Sequence, residues 1–149
     1  MKLVIIFTLL FSAATADTVA QDSGYFSNWF PRVTKTQAAQ PHWITPLFTT
    51  TPRLEEEFRS DIVWTPTNAG DSMNYGAGKG LELIPTYNTE IILGVPPYQV
   101  PPNTPAGGGN IPITLKYRLA AQNEENGNYI VTAFLAGSIP AGRFATRYG

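Results

Sequence analysis

LEEEFRSDIVWT, residues 54–65, alternates with a period of two. Leu54, Glu56, Phe58, Ser60, Ile62 and Trp64 fall on one side; Glu55, Glu57, Arg59, Asp61, Val63 and Thr65 fall on the other. Successive side chains of a strand point to opposite faces of a sheet, so this stretch predicts a strand with an apolar and a charged face. The same period recurs four times downstream. Tyr75 to Thr86 sets Leu81 and Leu83 against Glu82 and Thr86, and Thr89 to Pro97 puts Ile91, Leu93 and Val95 on one face. Pro112 to Ala120 sets Ile113, Leu115, Tyr117 and Leu119 against Thr114, Lys116 and Arg118. Asn128 to Ile139 carries Tyr129, Val131, Ala133, Leu135 and Ile139 after the turn-forming pair Asn126-Gly127. The chain reads as all-β, an antiparallel meander of about five strands.

The connections implied are nine residues (66–74), two (87–88), fourteen (98–111) and seven (121–127), so long and short alternate. Outer-membrane barrels pair short periplasmic turns with longer outer loops, and their strands cross the apolar band in about 9–11 residues. The apolar faces then meet lipid and the charged faces an aqueous lumen. Glu55, Glu57, Arg59, Asp61, Glu82, Lys116 and Arg118 are the lumen-facing candidates for charge selectivity, whereas Glu56 and Lys79 fall on the apolar side near strand ends. Five strands do not close a barrel, since the smallest membrane barrels use about eight. The meander, 54–149, is thus expected to be an open part of a barrel, with exposed edges and an apolar outer face: a fragment of a longer barrel in the first reading, a truncated reading frame or a sheet closed by oligomerisation in the others.

Lys2, the apolar run from Leu3 to Phe11 and the small residues Ala14 and Ala16 make a secretory signal over residues 1–16, with the mature chain starting at Asp17. Without Lys2, nine of the ten basic residues remain against eleven acidic ones, and no basic stripe offers a footprint for nucleic acid. Export without a cysteine means no disulfide supports the fold, which favours a bacterial envelope protein over a small eukaryotic secreted domain. Residues 17–53 are rich in proline and aromatics and lack periodicity. They read as an irregular arm that packs against something, with a helical turn near Lys35 to Gln40 ended by Pro41.

Thr51 to Arg59, Gly80 to Pro85, Thr114 to Leu119 and Gly137 to Gly142 together resemble the opening strands of a bacterial outer-membrane transporter family, often labelled after phenol meta-cleavage pathways. The resemblance covers roughly residues 51–142 and implies a β-barrel in the bilayer that passes small, hydrophobic or aromatic solutes. Members are usually longer, and where they carry an aspartate this chain has Gly107 to Asn110.

Enzymatic chemistry finds little support. There is no Cys, and the only His, His42, lies between Pro41 and Trp43, so neither a nucleophilic triad nor a metal site has a second member. Glu55 and Glu57 share a face, but Arg59 and Lys116 beside them suggest a salt-bridged wall rather than a glycosidase pair. Gly76 to Gly80 lacks nucleotide-loop spacing and reads as a bend in a strand. The expectation is a non-enzyme of the bacterial outer membrane, without cofactor or metal, whose partners are lipid and small solutes. The alternative is a soluble periplasmic or secreted β-sandwich binding a carbohydrate or protein through Trp29, Trp43 and Trp64.

Overall fold

The computed structural model describes residues 5–10, as backbone, and residues 24–46 and 49–142, apart from the side chain of residue 77. Most of the expected signal segment therefore lies outside the described residues. The elements are β1 (Ile5–Leu10), α1 (Trp29–Ala38), β2 (Glu57–Thr67), β3 (Gly70–Thr86), β4 (Thr89–Leu93), β5 (Tyr98–Val100), β6 (Gly107–Gly108), β7 (Ile111–Gln122) and β8 (Tyr129–Ile139). They form one antiparallel sheet in the order β1-β2-β3-β4-β7-β8, with β5 on β3 and β6 on β5, and the sheet does not close. No helix among the described residues is long and apolar enough to cross a membrane.

The five expected strands are β2, β3, β4, β7 and β8. Their register stacks like on like: Phe58, Leu81, Leu93 and Ile113 form one cross-strand row, and Leu83, Ile91, Leu115 and Leu135 the next. Such rows are the packing unit of a sheet. Here they lie on an uncovered face, and Leu135 is 72 % exposed.

Three expectations need correction. The nine-residue connection at 66–74 is a two-residue turn, Asn68-Ala69, because β2 and β3 stay paired out to Thr67 opposite Gly70. Thr67 Oγ1 holds that turn, accepting from Ala69 N–H and donating to Gly70 O at 2.6 Å. Loop lengths therefore do not alternate, yet one end of the sheet carries the extended β2–β3 hairpin and the long β4–β7 connection, and the other carries short turns. Next, the helix is a full Trp29–Ala38, not a turn near residue 35. Pro31 sits in its first turn, where a missing N–H costs nothing, and Pro41 lies beyond its end. Finally, β2 starts at Glu57, and residues 54–56 are an irregular segment packed beneath α1.

The glycine run in β3 explains a further departure. Gly76 and Gly80 have φ of +85° and +91°, and a Cβ at Gly80 would stand 2.2 Å from Leu93 O. These left-handed residues break the strand's alternation where β4 ends and β5 begins to pair with β3. Lys79 consequently turns to the charged face instead of the apolar one.

Candidate functional site

Burial is inverted relative to an ordinary soluble domain. Among the described residues the buried hydrophobics are Val33, Leu54, Ile84 and Ile92, whereas the buried polar set contains Glu55, Arg59, Asp61, Glu82, Glu90, Lys116 and Arg118. The charged face is covered by the described parts of the arm, residues 24–46 and 49–53. Val33 on α1 packs on Leu54 and Ile84, with Trp29 against them, and that small cluster is the apolar core. Polar contacts between arm and strands surround it.

Lys116 is at the centre. Its Nζ lies 2.7 Å from Glu90 Oε1, both side chains are fully buried, and it donates to Thr51 O and Arg53 O in the arm at 3.2 and 2.7 Å. The other oxygen of Glu90 accepts from Glu55 N–H at 2.6 Å. Glu55 Oε1 accepts from Thr45 and stands 3.4 Å from Arg53 Nε. Arg118 binds the last turn of α1 through Thr36 O (2.8 Å), and also the β3–β4 turn through Tyr87 O (2.6 Å). Arg59 grips Asp61 in a two-pronged pair at 3.1 and 2.6 Å. Lys79 Nζ lies between Glu57 (3.5 Å) and Glu82 (3.9 Å). Two charges taken from water require such partners, since an unpaired one in the interior costs several kcal/mol.

Side-chain amides and indoles complete the docking. Gln40 closes a reciprocal pair with Leu54, donating to its carbonyl at 2.8 Å and accepting its N–H at 2.9 Å. Glu56, expected to face lipid, instead accepts from Trp29 Nε1 and from Ile84 N–H, each at 2.7 Å. The Arg32 guanidinium stacks over Tyr25 and Trp29 at 4.4 and 4.9 Å from the ring centroids.

Six of the seven sequence candidates, Glu57, Arg59, Asp61, Glu82, Lys116 and Arg118, thus share the charged face of the sheet, with Glu57 the most accessible of those in ion pairs, whereas Glu55, in the irregular segment before β2, joins the network through its backbone N–H to Glu90. Most are committed to partners within the chain. Glu90, Gln40, Trp29 and Glu56 complete the network and were not among the seven; the signal for Glu90 is a lone acid in the apolar stretch Thr89 to Leu93. Between the arm and β2, β3, β4 and β7 remains a cavity of about 280 Å³. Thr49, Thr50, Asp61, Lys79, Ile92 and Thr114 are among its lining residues. No cluster of three metal-ligating side chains occurs among the described residues. The three tryptophans are not brought together: Trp29 is in the core, Trp43 is at the β7–β8 turn, and Trp64 is on β2 opposite Met73.

His42 belongs to a clasp at the sheet's short-turn end. Its N–H donates to Glu124 Oε1, its Nδ1 lies 2.9 Å from Glu124 Oε2, and Trp43 Nε1 donates to Asn128 at 2.8 Å. Hydrogen bonds from the His42 ring and then from its backbone N–H hold the Glu124 carboxyl down at about 2. A depressed carboxyl contributes stability above its unfolded value, about 4.3, and loses it as pH falls through the folded one. The clasp is expected to persist at pH 5 and open between about pH 4 and 2, read as loss of exchange protection at the Trp43 indole N–H. Glu124→Gln should remove that pH dependence.

No protein-family model, no curated protein and no solved structure matches this chain.

Proposed function

We propose that the chain forms part of a bacterial outer-membrane β-barrel for the passage of small solutes, with its N-terminal arm lodged inside the lumen. The observation that carries this is the inversion of the sheet: its charged face is buried under the arm and its aliphatic face is bare. A β-sandwich buries its apolar faces against each other, and no second sheet covers this one among the described residues.

Aromatic residues support the same reading. Tyr75 and Tyr98 pair beside Ile62, one step from Trp64. Tyr117, opposite Thr89, marks the other end of the bare face, and Tyr129 lies exposed at the start of β8. Because β3 carries bulge residues, the spacing of the two rows is counted on its partners, four steps from Ile62 to Phe58 on β2 and four from Leu93 to Thr89 on β4. That is roughly 26 Å of strand at about 3.3 Å per residue and, at a tilt of about 40°, roughly 20 Å of height between the ring-bearing positions. The aliphatic rows lie between. Membrane barrels carry an apolar band about 25 Å tall between aromatic girdles. Within the lumen, the buried acids and bases largely neutralise one another, so the arm and the cavity beside Asp61 and Lys79 would define the solute path.

Envelope fractionation with heated and unheated gels tests the reading. A heat-dependent mobility shift in the outer-membrane fraction is expected; a periplasmic protein with no shift would refute it.

A further inference from the structure

We propose that the sheet is closed along the edge of β2 by an odd number of further strands, at least three, whose sequence differs from this chain's, and not by copies of the chain. The inference rests on the barrel reading above. β2, β3, β4, β7 and β8 follow one another antiparallel, so after this odd number of strands β8 runs in the same direction as β2. Copies of a protein in a bilayer share one orientation and are related by rotation about the membrane normal, which preserves strand direction. A ring of copies would therefore place β8 of one against β2 of the next in parallel at every seam. Bacterial barrels are antiparallel with even strand counts, and parallel pairing is slightly less stable per residue. An odd number of added strands restores the pattern, and a barrel of about eight needs three beyond these five.

β1 shows the geometry that the edge accepts. It lies antiparallel on β2, with Ile5 opposite Trp64 and Leu10 opposite Arg59. β1 falls within the segment read as the secretory signal, so processing would uncover the backbone of residues 59–64. An unpaired edge in hydrocarbon costs several kcal/mol per orphaned group, so the vacated place must be refilled. The incoming strand must alternate, apolar outward beside Phe58 and Ile62, polar inward beside Arg59 and Asp61.

The missing wall also has inner neighbours waiting. Phe26 and Phe30 of the arm are 80 % and 59 % exposed, and Phe134 stands on the charged side of β8, opposite Lys116, yet is half exposed. Strands that complete the barrel would cover these rings, so their inner faces should carry apolar or small residues at that level.

A photo-crosslinking amino acid placed singly at Phe58, Ser60 and Ile62 of the processed protein in its own envelope, with the linked peptides sequenced, tests this. The expected links go to an alternating segment outside residues 17–142, and the linked position steps back by two as the label steps forward by two. Links to residues 129–139 of a second copy, stepping forward together, would overturn the proposal. So would links to residues 5–10, which would mean that β1 stays and the count is even. A heat-shifted protein that gives no link would overturn the seam alone, whereas a soluble protein without a shift would remove the barrel reading itself.

Discussion

Leu115→Arg is expected to prevent stable accumulation of the folded protein in the outer membrane. Leu115 sits mid-band in the row Leu83, Ile91, Leu115, Leu135, and it is 41 % exposed. If that surface met water, a charge there would change stability by no more than about 0.5 kcal/mol, as at ordinary surface sites. In the bilayer midplane an outward arginine costs about 2–4 kcal/mol. That is roughly a 30- to 1000-fold loss in the folded ratio, large against the few kcal/mol that keep a domain folded. Leu115→Met, which changes the side chain's shape but keeps the surface apolar, is the control. The readout is the urea midpoint of refolding into lipid vesicles, with envelope abundance as the cellular counterpart.

Lys116→Met should be the more damaging change to the arm. It leaves the Glu90 carboxyl buried with its cation gone, and it strips the donors from Thr51 O and Arg53 O. Removing one member of a buried pair costs about 3–5 kcal/mol, whereas replacing both members with well-packed neutral groups is often close to neutral. The double change Glu90→Gln with Lys116→Met is therefore expected to recover most of the loss, since the amide can still accept from Glu55 N–H. Limited proteolysis after Arg53 or Lys35 reports arm docking directly. Cleavage should be rapid in the single variant and slow in the double one. Equal cleavage in both would show that the charge pair does not hold the arm.

How much of this was legible depended on whether a residue's environment is set by its own strand. Phe58, Ile62, Leu115 and Tyr117 obey strict alternation, and their face follows from sequence. Leu54 and Glu55 do not: consecutive residues are both buried because the segment before β2 runs beneath α1, a tertiary arrangement that no period encodes. The β2–β3 hairpin escaped for a different reason. Beyond the apolar band both faces are polar, so residues 66–74 look like a loop although they are paired. Lys79 lies on the charged face, not on the apolar face that simple alternation gives it, because Gly76, Gly78 and Gly80 take positive φ and break the period. Among the charged side chains, sequence showed the face but not the partners. Arg118 reaches Thr36 across 82 residues, and His42 reaches Glu124 across the same interval. Solute passage, the bilayer and closure of the barrel remain proposals that these contacts support.

A single-cysteine scan of β7 tests the central claim, that the bare face meets lipid, and residues 1–149 contain no cysteine to compete with the label. Each position from 113 to 119 would carry a fluorophore in the protein reconstituted with brominated lipids. The account predicts strong quenching at Ile113, Leu115, Tyr117 and Leu119 and little at Thr114, Lys116 and Arg118. Uniformly weak quenching at all seven positions would contradict it.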